Sequence, residues 1–125
     1  MYTALVLTPE SHKLLLASFR DIIPADWTIY CHHMTINMGN ASSGPLAGQN
    51  LDVGAVAELT VVNYAYDDKV MAAGVATDVP STNSVKHITL AVNRAGGGKP
   101  FHSNQLKNWQ PTTPLKLRGI IQEVN

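Results

Sequence analysis

Two short segments of this chain repeat one pattern, in which a histidine, an apolar residue, a threonine and a second apolar residue follow one another. The segments are His33-Met34-Thr35-Ile36 and His87-Ile88-Thr89-Leu90. Side chains along a β-strand alternate between its two faces. Each segment therefore predicts a strand that buries apolar side chains on one face and presents an imidazole and a hydroxyl together on the other.

The two predicted strands span residues 31–38 and 85–93. In the first, one face carries His33, Thr35 and Asn37, and the other carries Met34, Ile36 and Met38. In the second, one face carries His87 and Thr89, and the other carries Ile88, Leu90 and Val92. If the strands lie side by side, two histidines and two threonines line one cleft. Histidine titrates near neutral pH, so this set suits acid–base chemistry on a phosphate.

The rest of the chain predicts an α+β domain of six or seven strands with one or two helices. A first strand over residues 2–7 is followed by a helix, with Thr8 as its N-cap and Pro9 in its first position. Pro24 is expected to end that helix. One long strand over residues 51–66, or two strands with a bulge near Gly54, is also expected. A short helix over residues 103–109 and a last strand over residues 115–124 follow. A length of 125 residues fits one domain, residues 1–125.

Composition limits the function. Charged residues make up 14% of the chain and the formal net charge is zero, so a groove for long nucleic acid is not expected, whereas a small anionic ligand fits. Cys31 is the single cysteine, which excludes an internal disulfide and zinc sites built from several cysteines. His32 and His33 are adjacent and should point to opposite faces, so no metal site is predicted. No membrane-length apolar run and no signal peptide are found, which favours a cytoplasmic protein.

A glycine-rich loop precedes further candidates for substrate binding. Gly96-Gly97-Gly98-Lys99 lacks the Ser or Thr that a phosphate-binding Walker loop requires, because Pro100 follows the lysine. Lys99 is therefore interpreted either as a phosphate contact near the cleft or as part of a solvated hinge. The polar side chains that follow are candidates for ligand contacts or plain loop residues: His102, Ser103 and Asn104.

The paired segments resemble the motif of the 2H phosphoesterases, a superfamily named for its two histidines. The stretches Lys86-His87-Ile88-Thr89-Leu90 and Lys99-Pro100-Phe101-His102-Ser103-Asn104 look most like its compact branch. That branch is related to the phosphodiesterase domain of tRNA ligases and to Swiss-army-knife RNA-repair-like domains. The resemblance implies a bilobal fold with two antiparallel sheets around a central cleft, and catalysis without metal or cofactor by His33, His87, Thr35 and Thr89.

The leading function hypothesis is a hydrolase of 2′,3′-cyclic phosphates on RNA ends or small nucleotides. The residues alone do not indicate which histidine is the base. The resemblance favours His87 as base and His33 as acid. One alternative is a hydrolase of cyclic oligonucleotide defence signals, as found in some phage members. Others are a non-catalytic nucleotide-binding module and a structural domain in which the motif residues only satisfy hydrogen bonds.

Overall fold

The computed structural model describes residues 1–42, 46 and 51–125. The stretch over residues 39–49, whose Gly, Ser and Asn residues predict a loop, lies partly outside the described residues. In chain order the elements are β1 Tyr2–Leu7, α1 Pro9–Phe19, β2 Thr28–Ile29, β3 His33–Asn37, β4 Val56–Tyr66, β5 Val70–Ala76, β6 His87–Val92, a 3₁₀ helix Pro100–Gln105 and β7 Gln110–Val124. Both motif strands form where the alternating pattern predicts them. The balance of many strands and few helices is the predicted α+β class.

The strands form one antiparallel sheet that closes on itself. Their order is β2-β6-β3-β1-β7-β4-β5, and a further pairing of β5 with β6 closes six of them into a barrel. The short strand β2 pairs with the end of β6 through Thr28–Val92 and Ile29–Ala91, on the same edge that β3 occupies, because β5 takes the other edge of β6. The two separate sheets around a cleft that the resemblance implies are therefore not found among the described residues. One closed sheet takes their place.

Helix α1 follows the predicted start and packs on the barrel. The Thr8 hydroxyl accepts a hydrogen bond from the Ser11 amide at 3.3 Å, which satisfies one of the amides left free at a helix N-terminus. The helix ends at Phe19, earlier than the predicted end near Pro24. A turn then carries Ile23 into the core. No helix in the described ranges is long and apolar enough to cross a membrane.

The barrel interior is mostly aliphatic, and β-bulges decide which side chains enter it. Opposite β1, the pairs Thr3–Asn37 and Ala4–Thr35 leave Ile36 as an extra residue of β3. The alternation is therefore interrupted, so Asn37 is fully buried and Met38 is exposed. This reverses the predicted faces of these two residues.

A second bulge changes the end of β6. Met71 pairs with Ala91 and Ala72 with Thr89, which leaves Leu90 as the extra residue. Val92 consequently packs in a second, smaller cluster rather than with the main core, contrary to the predicted alternation. That cluster also includes Ala65, Val70, Ala72 and Leu106.

Strand β7 is longer than predicted because an irregularity accommodates its prolines. Val61 pairs with Leu115 and Asn63 with Pro111, so Pro114 falls within the register shift, where no regular ladder amide is needed. The bulge of β4 lies near Val62, not near Gly54. The last predicted helix is a 3₁₀ helix that begins at Pro100, earlier than expected.

Candidate active site

The two motif strands are direct neighbours in the sheet. Strand β3 pairs with β6 through Met34 and Ile88, and both of these side chains are fully buried in the main core. Because the pairing is antiparallel, the same register places His33 next to Thr89 and His87 next to Thr35. The motif residues are thus arranged around the Met34–Ile88 pair with a local two-fold relationship.

All four motif side chains line one cavity of about 370 Å³ on the outer side of these strands. The barrel interior takes the apolar side chains between them, so the polar ones are left on the outside. Three polar residues and a set of mostly aromatic and apolar ones complete the walls. The polar residues are Thr82, Asn83 and Asn104. The aromatic and apolar residues are Tyr2, Tyr30, Met38, Pro100 and Phe101, and His32 also lines the cavity.

His87 is held by a backbone carbonyl. Its Nδ1 lies 2.7 Å from the carbonyl oxygen of Val85, which can only accept, so Nδ1 carries the proton and donates. Neutral His87 therefore has its free lone pair on Nε2. Burial lowers the pKa of His87, and the Val85 hydrogen bond opposes that shift. An imidazole that is neutral at pH 7 with Nε2 free is suited to accept a proton.

His33 is held by side chains instead. Its ring lies 5.2 Å from that of Tyr2, centroid to centroid, and its Nδ1 lies 2.8 Å from Nδ1 of His32. Burial, with smaller effects from the neighbouring charges of His32 and His87, lowers the pKa of His33 from 6.5 to about 4. Without an anion in the cavity, His33 is therefore neutral at pH 7.

A left-handed residue brings His32 to the same cavity as His33. Cys31 has φ +50°, and no other described non-glycine residue has a positive φ. His12 of α1 donates from Nδ1 to the Cys31 carbonyl at 2.9 Å, and the Cys31 amide donates to the Thr89 carbonyl at 3.0 Å. The prediction that His32 and His33 point to opposite faces is wrong, because this turn interrupts the strand geometry before β3 begins.

Cys31 itself is a core residue rather than a nucleophile of the site. It is fully buried, and burial raises the pKa of its thiol to about 11. A thiol with such a pKa stays protonated near neutral pH and is a weak nucleophile.

Ser103 reaches the cavity indirectly, through Thr89. The two hydroxyl oxygens are 2.8 Å apart and Ser103 is 1% exposed. Ser103 therefore holds the Thr89 hydroxyl oxygen in place. Asn104, the next residue, lines the cavity itself.

Lys99 and His102 do not line the cavity. The Lys99 amide donates to Nδ1 of His102 at 3.0 Å, so the two residues bond to each other at the start of the 3₁₀ helix. The preceding loop packs on the β4–β5 turn, because a Cβ on Gly98 would lie 2.3 Å from the Lys69 carbonyl oxygen. The glycines thus permit close backbone packing in this loop.

A second cavity of about 220 Å³ adjoins the first on the far side of His87. The two cavities share His87, Thr82, Asn83 and Asn104. Trp109 lines the second cavity, with its ring centroid 6.5 Å from that of His87. Space for a ligand is therefore available on both sides of this imidazole.

Arg94 contacts one of the aromatic residues that line the larger cavity. The Arg94 guanidinium carbon is 5.8 Å from the centroid of the Tyr30 ring, and the guanidinium also donates to the Tyr30 hydroxyl. The contact holds the Arg94 side chain against Tyr30, which itself lines the larger cavity.

Several wall residues were not predicted from the sequence. Tyr2, Tyr30 and Phe101 come from three separate segments, and no spacing pattern connects them. Met38 was assigned to the core by strict alternation. The sequence offers four other aromatic side chains that could stack on a base or belong to the core or rim: Trp27, Tyr64, Tyr66 and Trp109. The first three line a third cavity, and Trp109 lines the cavity beyond His87.

Within the described part of the chain, no group of three or more His, Cys, Asp or Glu side chains is arranged to hold a metal ion. The polar groups of the larger cavity are imidazoles, hydroxyls and amides. Such groups can hydrogen-bond a phosphate and transfer protons.

The sequence matches the family model described as the fungal tRNA ligase phosphodiesterase domain, over residues 17–123. This is a 2H phosphoesterase-type domain, so the resemblance drawn from the paired motifs is confirmed. The matched range includes both motif strands. No curated protein and no solved structure matches the chain.

Proposed function

Since the chain belongs to the fungal tRNA ligase phosphodiesterase domain family, we propose that it hydrolyses 2′,3′-cyclic phosphates on RNA ends or small nucleotides by two-histidine acid–base catalysis. Family membership implies that the chain is a phosphodiesterase. What we propose beyond that is the substrate and the catalytic mechanism. One observation carries it: His33, Thr35, His87 and Thr89 line a single cavity.

His87 is the general base in this proposal. Its Nδ1 donates to the Val85 carbonyl, which leaves the Nε2 lone pair to take a proton from the attacking water. The lowered pKa of His87 keeps the ring neutral at pH 7, as a base must be. The water oxygen forms a bond to phosphorus while its proton moves to Nε2.

His33 is the general acid. Attack by water breaks the bond between phosphorus and one ribose oxygen, and that oxygen needs a proton to leave as a hydroxyl. His33 lies in the other half of the two-fold arrangement, so it can approach phosphorus from the side opposite His87. An anionic phosphate in the cavity favours positive charge on the imidazoles around it, and so favours the supply of a proton to the leaving oxygen.

Thr35 and Thr89 stabilise the charge that develops on the nonbridging oxygens. Each threonine stands beside the histidine of the other strand, and hydroxyls directed at such oxygens are effective when they are held in place. Ser103 provides that support for Thr89 through the 2.8 Å contact between their hydroxyl oxygens.

The cavity walls suit a nucleotide. About 370 Å³ is within the usual size range of small-ligand sites, and the aromatic side chains Tyr2, Tyr30 and Phe101 offer faces on which a base can stack. The zero formal net charge agrees with a small ligand rather than a long nucleic acid.

A second candidate substrate is a cyclic oligonucleotide. The 220 Å³ cavity beyond His87 favours it, because a nucleotide linked on both sides of the scissile phosphate needs room on both sides of that imidazole. A 2′,3′-cyclic phosphate needs a nucleoside site on one side only.

A substrate screen tests the proposal. The protein is incubated with 2′,3′-cyclic mononucleotides, with an RNA oligonucleotide ending in a 2′,3′-cyclic phosphate, and with cyclic di- and trinucleotides, and the products are identified by mass spectrometry. We expect a cyclic end to gain one water and become a phosphomonoester, with equal rates in the presence of a chelator. Binding without turnover would instead favour the non-catalytic nucleotide-binding module, and loss of activity with chelator would show that a metal is required.

A further inference from the structure

His32 lies in the cavity wall, although the two-histidine mechanism assigns it no task. Its Nδ1 is 2.8 Å from Nδ1 of His33, and the two rings are nearly perpendicular at 83°. A contact between two ring nitrogens at this distance is a hydrogen bond only if one of them carries a proton and the other does not. The protonation of one ring therefore determines the tautomer of the other.

The backbone is arranged to produce this contact. Adjacent residues of a regular strand point to opposite faces, so the pair needs an irregular residue before it. Cys31 is that irregular residue, with φ +50°. This left-handed conformation costs free energy in any residue with a Cβ atom, so it persists only where surrounding contacts enforce it. Two hydrogen bonds provide such contacts. His12 donates to the Cys31 carbonyl, and the Leu7 amide donates to the His32 carbonyl at 2.9 Å.

We propose that His32 is a positioning residue for His33. In this proposal Nδ1 of His32 carries a proton and donates a hydrogen bond to Nδ1 of His33. This proposal rests on the function proposed above. The alternative direction would place the His33 proton on Nδ1 and leave Nε2 bare, which is unsuitable for an acid. With His32 as donor, neutral His33 carries its proton on Nε2, the atom available to the leaving ribose oxygen.

The pair also explains how a histidine with a depressed pKa can serve as an acid. His32 is exposed, so solvent can deliver a proton to its Nε2. Its Nδ1 proton then moves to Nδ1 of His33 as the Nε2 proton of His33 moves to the leaving oxygen. At the end His32 is neutral with its proton on Nε2, and His33 is neutral with its proton on Nδ1.

The other groups around His33 do not compete for this task. Tyr2 faces it from β1, and burial raises the pKa of that phenol, which stays neutral. His87 faces it from β6, but the Nδ1 of His87 is committed to the Val85 carbonyl. His12 of α1 donates to the Cys31 carbonyl. Among these side chains, only His32 contacts a ring nitrogen of His33.

The direct test is nuclear magnetic resonance on the free protein with ¹⁵N-labelled histidine. We expect a scalar coupling across the hydrogen bond between the two Nδ1 atoms, with the proton bonded to Nδ1 of His32 and with Nε2 of His33 protonated. No coupling, or a proton on Nδ1 of His33, would overturn the proposal. This readout needs no substrate, so it decides the matter even if the protein turns over none of the nucleotides tested.

Kinetic variants distinguish positioning from packing. His32→Ala removes the donor and should lower turnover by about ten- to a hundredfold. His32→Asn keeps an amide N–H near the position of Nδ1 but cannot carry the extra proton. It should recover most of the turnover at the pH optimum while the alkaline limb of the kcat profile moves to lower pH. Equal profiles for His32→Asn and wild type would contradict the relay step.

A matched control is Lys116→Gln, on an exposed position of β7 that lines none of the described cavities. It should leave the coupling, turnover and pH profile unchanged. If His32→Ala matches this control in turnover while His33→Ala is inactive, the proposed function stands and the role of His32 is refuted.

Discussion

The two motif strands carry the same residue types but support them differently. On β6, a main-chain carbonyl fixes the His87 tautomer and a serine holds Thr89. On β3, side chains surround His33, and the neighbouring ring of His32 supplies its ring-nitrogen contact. A carbonyl can only accept, whereas an imidazole can also donate. In the proposed mechanism, this difference gives the two like motifs unequal tasks, with His87 as base and His33 as acid.

The largest expected effect comes from removing either imidazole. His33→Ala and His87→Ala should each lower turnover by about a hundred- to ten-thousandfold, because each removes a proton-transfer partner. The double variant should be little worse than either single one, since the two act as a unit. Turnover is measured on the best substrate of the screen, and circular dichroism checks folding. A folded single variant with near wild-type turnover would rule out the two-histidine mechanism.

The threonines should show the next effect. Thr35→Ala and Thr89→Ala each remove one donor to the phosphate and should cost about ten- to a thousandfold in kcat. Ser103→Ala leaves the Thr89 hydroxyl in place but unfixed, so its loss should be smaller than that of Thr89→Ala. In a Thr89→Ala background, Ser103→Ala should have little further effect on kcat. Full additivity of the two losses would show that Ser103 acts independently of Thr89.

The environment of His33 should also appear in stability. Its pKa of about 4 in the folded protein, against 6.5, means that the unfolded chain binds more protons between these pH values. The free energy of unfolding therefore rises with pH across this window, by about 3 kcal/mol from this one group. Urea unfolding at pH 4 and pH 7 should show a smaller rise for His33→Gln than for wild type. An equal rise in both proteins would mean that the His33 pKa is not depressed.

Much of the fold and of the cavity follows from local sequence pattern. The alternation around His33 and His87 predicts both strands and their polar faces, and the Thr8-Pro9 pair predicts the start of α1. The pattern fails at the bulges of Ile36 and Leu90, because a single extra residue depends on pairing with a distant strand. For that reason Asn37, Met38 and Val92 occupy faces opposite to those predicted.

The role of His32 could not be predicted for a related reason. Its position depends on the left-handed backbone of Cys31, which is stabilised by His12 and Thr89 from distant parts of the chain. Cysteine has no preference for that conformation that a sequence would reveal. Likewise the closure of the barrel depends on β5 pairing with β6, and the motifs contain no information about it.

The most direct test of the unequal tasks uses a leaving group that needs no acid. A nucleoside p-nitrophenyl phosphodiester without a 2′-hydroxyl releases p-nitrophenolate, which leaves as a stable anion and is measured by its absorbance. His33→Ala should recover much of the wild-type rate on this substrate, whereas His87→Ala should stay inactive because water still needs a base. Recovery of His87→Ala with His33→Ala inactive would reverse the assignment and contradict the account.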